Sequence, residues 1–275
     1  MHAARRLWTT LEPLHAVAYF APDVRAAGKA IGLKGYWDTY FAFRAAPLGA
    51  VSAPAVVGLF AVFAPEMVAR SLPSAWARAS VADCLAARTA FGGEVLRGIG
   101  VLPEDCAAAV PLLSSVVLEP TGRALGTANA ALPLPEDPVQ AVFQLATTLR
   151  EHRGDGHVAA LAAAGLSGLE AMHLQLARNR FPSEGMREIR GWTVEQWTAA
   201  NTSLVARGLL SPDGLTPGGA ALLDSVEEMT DSLAWQGGLS SVPVDEVVSA
   251  LAPAVAAVWV SGVLPSVNPV GVSRA

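Results

Sequence analysis

The stretch Gly191-Trp192-Thr193-Val194-Glu195-Gln196-Trp197, read on through Arg207-Gly208-Leu209-Leu210-Ser211-Pro212-Asp213-Gly214-Leu215-Thr216-Pro217, carries the signals of a winged helix-turn-helix in fixed order. Thr193 with Gln196 three residues on is a capping box, which starts a helix running to Arg207, and Gly208 ends it. Leu209-Leu210 and Leu215 are short strands around the tight turn Ser211-Pro212-Asp213-Gly214, the wing. Thr216-Pro217 caps the next helix, with Pro at its first position, and Leu222, Val226 and Met229 give it an apolar stripe. The whole unit runs from Ser183 to Leu233.

Working outward, Val95-Leu96-Arg97-Gly98-Ile99 matches Val205-Ala206-Arg207-Gly208-Leu209 at an offset of 110. Phe41-Ala42-Phe43-Arg44 likewise parallels Leu149 to Arg153, and Cys106 to Val117 parallels Gly219 to Thr230. These matches predict a mainly α chain of two degenerate repeats, each a helical hairpin followed by a winged helix-turn-helix-like unit. The expected domains are 1–128 and 129–275, joined by an extended connector at Thr127 to Pro138 that holds Pro133, Pro135 and Pro138.

Of 275 residues, 52% are apolar and 16% charged, which excludes a disordered or fibrous chain and predicts a packed globule. Cys84 and Cys106 have no Cys or His pair nearby, so neither a zinc site nor a disulfide framework is suggested. With no apolar signal core behind Arg5-Arg6, the expected location is cytoplasmic. Ala45 to Pro65 and Val247 to Ser273 contain no charge, but both are Ala-rich and broken by proline, and they read as buried helices rather than membrane spans.

The densest polar cluster is Arg150-Glu151-His152-Arg153-Gly154-Asp155-Gly156-His157. Two glycines beside Asp155 predict a turn on which Arg153, Asp155 and His157 converge, Arg as anion fork and His and Asp as proton carriers. The alternative is a helix-terminus loop in which Arg and Asp cap backbone groups or pair with each other. Asp155, His157 and His152 are therefore the candidate catalytic groups. Arg44 holds the equivalent place in the first repeat, so Arg44 and Arg153 are expected to face one anion across a pseudo-twofold. Tyr36 and Tyr40 lie in an aromatic helical stripe that reads first as core, each keeping a polar tip. His15 and His173 sit on apolar helices, where a hydrogen-bonded core histidine is the simpler reading. Glu170-x-x-His173 is one half of a di-iron pattern whose second half is missing, and no phosphate loop, dinucleotide fingerprint or nucleophile elbow occurs. No metal and no cofactor is expected.

The net charge of −5 opposes nucleic acid. Ser183 to Thr230 holds three basic residues (Arg187, Arg190, Arg207) against seven acids, a net of 3 − 7 = −4, which predicts a scaffold or dimerisation surface rather than a DNA reader.

Leu11-Glu12-Pro13-Leu14-His15-Ala16-Val17 with Tyr19-Phe20-Ala21-Pro22, Arg44-Ala45-Ala46-Pro47-Leu48-Gly49, Asn129-Ala130-Ala131-Leu132-Pro133, Leu149 through His157, Gly191-Trp192-Thr193 with Trp197, and Asn268-Pro269-Val270-Gly271 resemble the uncharacterised actinobacterial helix-turn-helix-fold proteins over nearly the whole chain. Val270 stands where that family has Met. A weaker similarity points to the aziridine-forming complex of azinomycin-type biosynthesis. What that likeness implies is an intramolecular displacement, in which an amine attacks carbon and a sulfate-like anion departs. Arg44 and Arg153 would hold the anion, His157 or Asp155 would take the ammonium proton, and Tyr36, Tyr40, His15 and Asn129 would line the pocket. The expected partners are an anionic small molecule and a protein partner or second copy. The competing expectations are a ligand-responsive winged-helix regulator and a non-catalytic interaction module.

Overall fold

The computed structural model describes residues 1–179, 183–266 and 268–274. The chain is mainly α. Its first half comprises α1 (Ala3–Phe20), α2 (Val24–Ala30), α3 (Gly35–Ala45), α4 (Ala53–Val57), α5 (Pro65–Ser71), α6 (Val81–Gly98), α7 (Glu104–Ala107), α8 (Ala109–Ser114) and α9 (Ala124–Ala130). The second comprises α10 (Pro138–Ala163), α11 (Gly168–Asn179), α12 (Glu184–Ile189), α13 (Val194–Ala206), the strands β1 (Leu210–Ser211) and β2 (Gly214–Leu215), α14 (Pro217–Ala234) and α15 (Val244–Ser261).

The winged unit forms as its sequence signals predict. Thr193 and Gln196 make both bonds of the capping box, and Thr216 Oγ1 accepts from the Gly219 amide to start α14 behind Pro217. Leu210 pairs with Leu215 and Ser211 with Gly214, whose φ of 114° is open to glycine. At the 110-residue offset α6 falls on α13, and these helices end beside Gly98 and Gly208; the first half has no two-strand wing among the described residues.

Helix α10 is the centre of the molecule. Asp137 caps it, Pro138 opens it, and it packs on α9, α1, α14 and α6. This corrects the expected turn at residues 150–157: Gly154 and Gly156 lie inside 26 residues of continuous helix. Each glycine costs a helix about 1 kcal/mol against Ala, and tertiary packing overrides that cost. A Cβ on Gly156 would stand 3.4 Å from Leu233 Cβ and 3.5 Å from the Arg123 guanidinium, so this glycine serves close approach by α14 rather than a bend.

Two large apolar cores lie in the chain, the first built on α10. One gathers α1, α10 and α15, with Leu14, Val142, Phe143 and Val258 at its heart; the other gathers Phe41, Phe60, Phe63 and Val68 around α3, α4 and α5. Residues 45–65 form short helices rather than a span, and α4 and α5 pack together. Helix α15 is long and apolar enough to cross a membrane, with 28% of its length buried, and it lies along α1, α7 and α8. The expected connector is helical at its start, since α9 runs to Ala130.

Candidate functional site

Where the two cores meet, five helices line a small pocket that opens to solvent. His15 and Tyr19 come from α1; Val24 from α2; Tyr36, Tyr40, Phe43 and Arg44 from α3; Arg88 from α6; and Phe143, Thr147 and Glu151 from α10. His15 and Tyr19, Tyr36, Tyr40 and Arg44, and Phe143, Thr147 and Glu151 are each spaced by four residues, which stacks them on one helix face.

Glu151 is the electrostatic pivot. It accepts a bidentate pair from Arg44, Nε to Oε1 at 2.8 Å and Nη2 to Oε2 at 3.0 Å, and Arg150 Nη1 lies 3.0 Å from Oε1. Burial pushes the Glu151 carboxyl up, but Arg150 and Arg44 outweigh burial and hold it at about 2. The third cation has no such partner. Arg88 is buried, donates to Gln144 Oε1 at 2.8 Å and to the Phe43 carbonyl at 3.3 Å, and its Nε donates to nothing. No carboxylate lies within 4 Å of it among the described residues, and burial draws its pKa down to about 10 against the opposing pull of Tyr19 and Glu151.

Arg190, in the turn before α13, lays its guanidinium 4.5 Å from the centroid of Phe63, where burial lowers its pKa despite Tyr40 and Tyr36. Glu12 is the second acid nearby; its Oε2 accepts from Trp8, and burial raises its pKa. The cluster thus sets Arg44, Arg88, Arg150 and Arg190 against Glu151 and Glu12, an excess of positive charge in a place with little water.

Of the residues expected to bind substrate, Arg44, Tyr36, Tyr40 and His15 come together around this cavity. Arg153 does not. It lines a different hollow, with His152 and Trp8. Its guanidinium meets Glu227 at 3.1 Å and Asp231 at 3.2 Å and stacks 4.6 Å from the centroid of the Trp8 ring. The expectation that Arg44 and Arg153 face one anion is corrected accordingly. Asp155 and His157 also part from each other, because two residues along a helix turn the side chain by about 200°. Asp155 Oδ2 accepts from the Gly126 amide at 2.9 Å, stitching α10 to α9, and burial raises its pKa to about 6 despite that bond. His157 Nδ1 contacts Thr230 Oγ1 at 3.0 Å on α14. His152 is fully buried with neither ring nitrogen partnered, and burial with Arg123 takes its pKa down to about 4. Asn129 Nδ2 donates to Leu125 within α9, away from the cavity.

Sequence reasoning did not single out Arg88, Thr147 or Glu151 for the site, nor Tyr19 beyond its place in a family motif. A signal existed for Arg88: Cys84, Arg88, Phe91 and Val95 share one face of α6, so a cation interrupts an apolar stripe.

The winged unit offers little to phosphate. Arg187 is paired with Glu188 at 3.1 Å, Arg207 with Glu170 at 3.2 Å, and Arg190 is turned inward onto Phe63. The exposed side of α13 shows Val194, Glu195, Asn201 and Val205. Trp192 Nε1 donates to the Val62 carbonyl at 3.0 Å, which ties the turn before α13 to the first half of the chain.

Fold and site define a mainly α protein that carries a winged helix and an arginine-rich internal cavity. The helix-turn-helix family model matches residues 4–265, and the chain belongs to that family. No curated protein and no solved structure matches it.

Proposed function

We propose that the chain is an enzyme, or the larger subunit of one, that acts without a cofactor on an anionic small molecule of specialised metabolism held in the α1–α3–α6–α10 cavity. The observation that carries this reading is Arg88, a buried guanidinium that lines the cavity, has no carboxylate partner among the described residues and leaves its Nε unbonded. A buried unpaired cation is costly, and an incoming anion removes that cost. Arg44 contributes as well, because its Nε and Nη2 are fixed on Glu151 while Nη1 points toward the Tyr40 hydroxyl at 3.4 Å.

The reaction class proposed is a redox-neutral intramolecular displacement: a substrate amine attacks carbon, closing a small ring, and a sulfate-like group leaves with the bonding pair. Arg88 and Arg44 would bind the departing anion, and the Tyr36, Tyr40 and Phe43 wall would exclude water and fold the substrate for attack. Arg153, Asp155 and His157 are engaged in helix-to-helix contacts and have no part in this step.

The test pairs thermal protection by inorganic sulfate with a mass-spectrometric screen for bound or converted anionic amino metabolites. Native protein and Arg153→Ala are expected to be protected by sulfate and Arg88→Ala not. Equal protection of native protein and Arg88→Ala would remove this reading. Tight, salt-sensitive retention of duplex DNA without turnover would replace it with the regulator.

A further inference from the structure

The cavity holds a second chemical feature besides its cations. His15 is 3% exposed and bonded at both ring nitrogens: Nε2 lies 2.8 Å from Tyr19 Oη and Nδ1 lies 2.9 Å from Thr147 Oγ1. Thr147 Oγ1 in turn donates to the Phe143 carbonyl at 2.8 Å. These contacts select the tautomer. With the Thr147 proton on Phe143, His15 Nδ1 must be the donor, and Nε2 is left to accept the Tyr19 hydroxyl. The opposite assignment would leave the Tyr19 proton with no acceptor. The ring is also pinned sterically, stacked on Phe143 at 6.3 Å between centroids and edge-on to Tyr19 at 4.8 Å. Tyr19 is partly exposed where it lines the cavity, so it stands between the open space and a buried base.

From this arrangement, and resting on the anion-binding reading above, we propose that Tyr19 and His15 are the proton path of the cavity. A ligand N–H or O–H gives its proton to Tyr19 Oη while the Tyr19 proton passes to His15 Nε2. The ligand's bond to hydrogen breaks, a new bond forms at Nε2, and the products are the deprotonated ligand, an intact tyrosine and an imidazolium. Thr147 is a positioning residue that presents Nε2 to Tyr19.

The charged and titratable groups facing His15 are Tyr19 on α1, Glu151 and Arg150 on α10, Arg44 and Tyr40 on α3, and Arg88 on α6. Burial, reinforced by Arg150, Arg44 and Arg88 against Glu151, keeps the His15 pKa well below the usual 6.5. An arriving anion offsets those arginines, so the ligand itself raises the basicity of His15 as it binds. The preferred substrate is therefore an anion that also carries an ionisable ammonium or hydroxyl, with its anionic end on Arg88 and its N–H or O–H on Tyr19.

The experiment uses the full chain labelled with 15N-histidine. Long-range 1H–15N correlation is expected to show His15 as the Nδ1–H tautomer, moving toward imidazolium at higher pH once inorganic sulfate is added. A chromogenic probe, 4-hydroxy-3-nitrobenzoate, then supplies a carboxylate for Arg88 and a phenol whose ionisation is visible. In the native protein, ionisation of the bound phenol should accompany protonation of His15. Tyr19→Phe should bind the probe with similar affinity but lose the ionisation coupled to His15, because the probe's proton then has no bonded path to Nε2. An Nε2–H tautomer, or equal ionisation in native protein and Tyr19→Phe, would overturn the proton path. Failure of both sulfate and probe to bind the native protein would instead overturn the anion reading, and the tautomer alone would then decide the path.

Discussion

Arg207, which caps the C-terminal end of α13, and Arg88, in the middle of α6, both belong to Ala-rich helices that end beside a glycine, yet they do opposite things. Arg207 is exposed and spends its charge on Glu170, as Arg187 does on Glu188. Arg88 is buried, has only a carbonyl and an amide oxygen to donate to, and keeps Nε free. The winged helix therefore gives the protein its recognisable outline while its cations are neutralised, and the cavity holds in Arg88 a cation that no carboxylate among the described residues pairs. In this protein the region with the clearest sequence signature and the region with the clearest chemical potential are different regions.

The largest effect that can break this comparison lies at Glu151. Glu151→Gln would leave Arg44 and Arg150 buried without their shared carboxylate, and removing one partner of a buried pair typically costs about 3–5 kcal/mol. Urea unfolding should show that loss. A cost near that of a surface pair, below about 1 kcal/mol, would mean the cavity is as wet as the winged unit and would dissolve the contrast.

The next effect separates two carboxylates one helical turn apart on α10. Glu151, held at about 2 by Arg150 and Arg44 against burial, stabilises the fold above its unfolded pKa, and that contribution is lost as pH falls from about 4.5 toward 2. Asp155 has the opposite sign. Burial raises it from 3.8 to about 6, so the folded state holds its proton more tightly than the unfolded chain, and stability falls as pH rises from about 4 to 6. The shift corresponds to at most about 3 kcal/mol. Asp155→Asn should flatten that part of the stability–pH curve between about pH 4 and 6. An unchanged slope would show that Asp155 ionises without penalty and is not the buried stitch to Gly126.

How much of this was legible in the sequence depends on the range of the contacts involved. The capping box, the wing turn and the Thr216-Pro217 cap are local, each set by residues within a few positions, so residues 193–217 could be read directly. The site is long-range: Arg44 meets Glu151 across 107 residues and His15 meets Thr147 across 132. Arg44, Tyr36, Tyr40 and His15, the first singled out by its place in the repeat and the others by a polar tip on an apolar helix, nonetheless line one cavity. The octapeptide at 150–157 was misjudged because two glycines signal a turn in isolation, whereas here α14 presses against Gly156 and the helix continues. Arg153 looked available to an anion because its partners Glu227 and Asp231 lie more than 70 residues away.

The smallest effect sharpens the comparison from the other side. Thr193 Oγ1 accepts from the Gln196 amide at 3.2 Å, and Gln196 Oε1 accepts from the Thr193 amide at 3.0 Å, so Thr193→Ala removes one of two reciprocal bonds at an exposed helix start. Losing such a cap costs about 1 kcal/mol. The same turn carries Trp192, bonded to Val62, and Arg190, lying on Phe63, so the winged unit touches the second core through that turn. If the turn only supports the cavity wall, Thr193→Ala should lower the urea midpoint slightly and leave sulfate protection unchanged. Weaker sulfate protection after loss of the cap would show that the winged helix and the cavity are one coupled device, with Arg190 as the link. That outcome would move the regulator reading ahead of the enzyme, because occupancy of the cavity would then be felt at the start of α13.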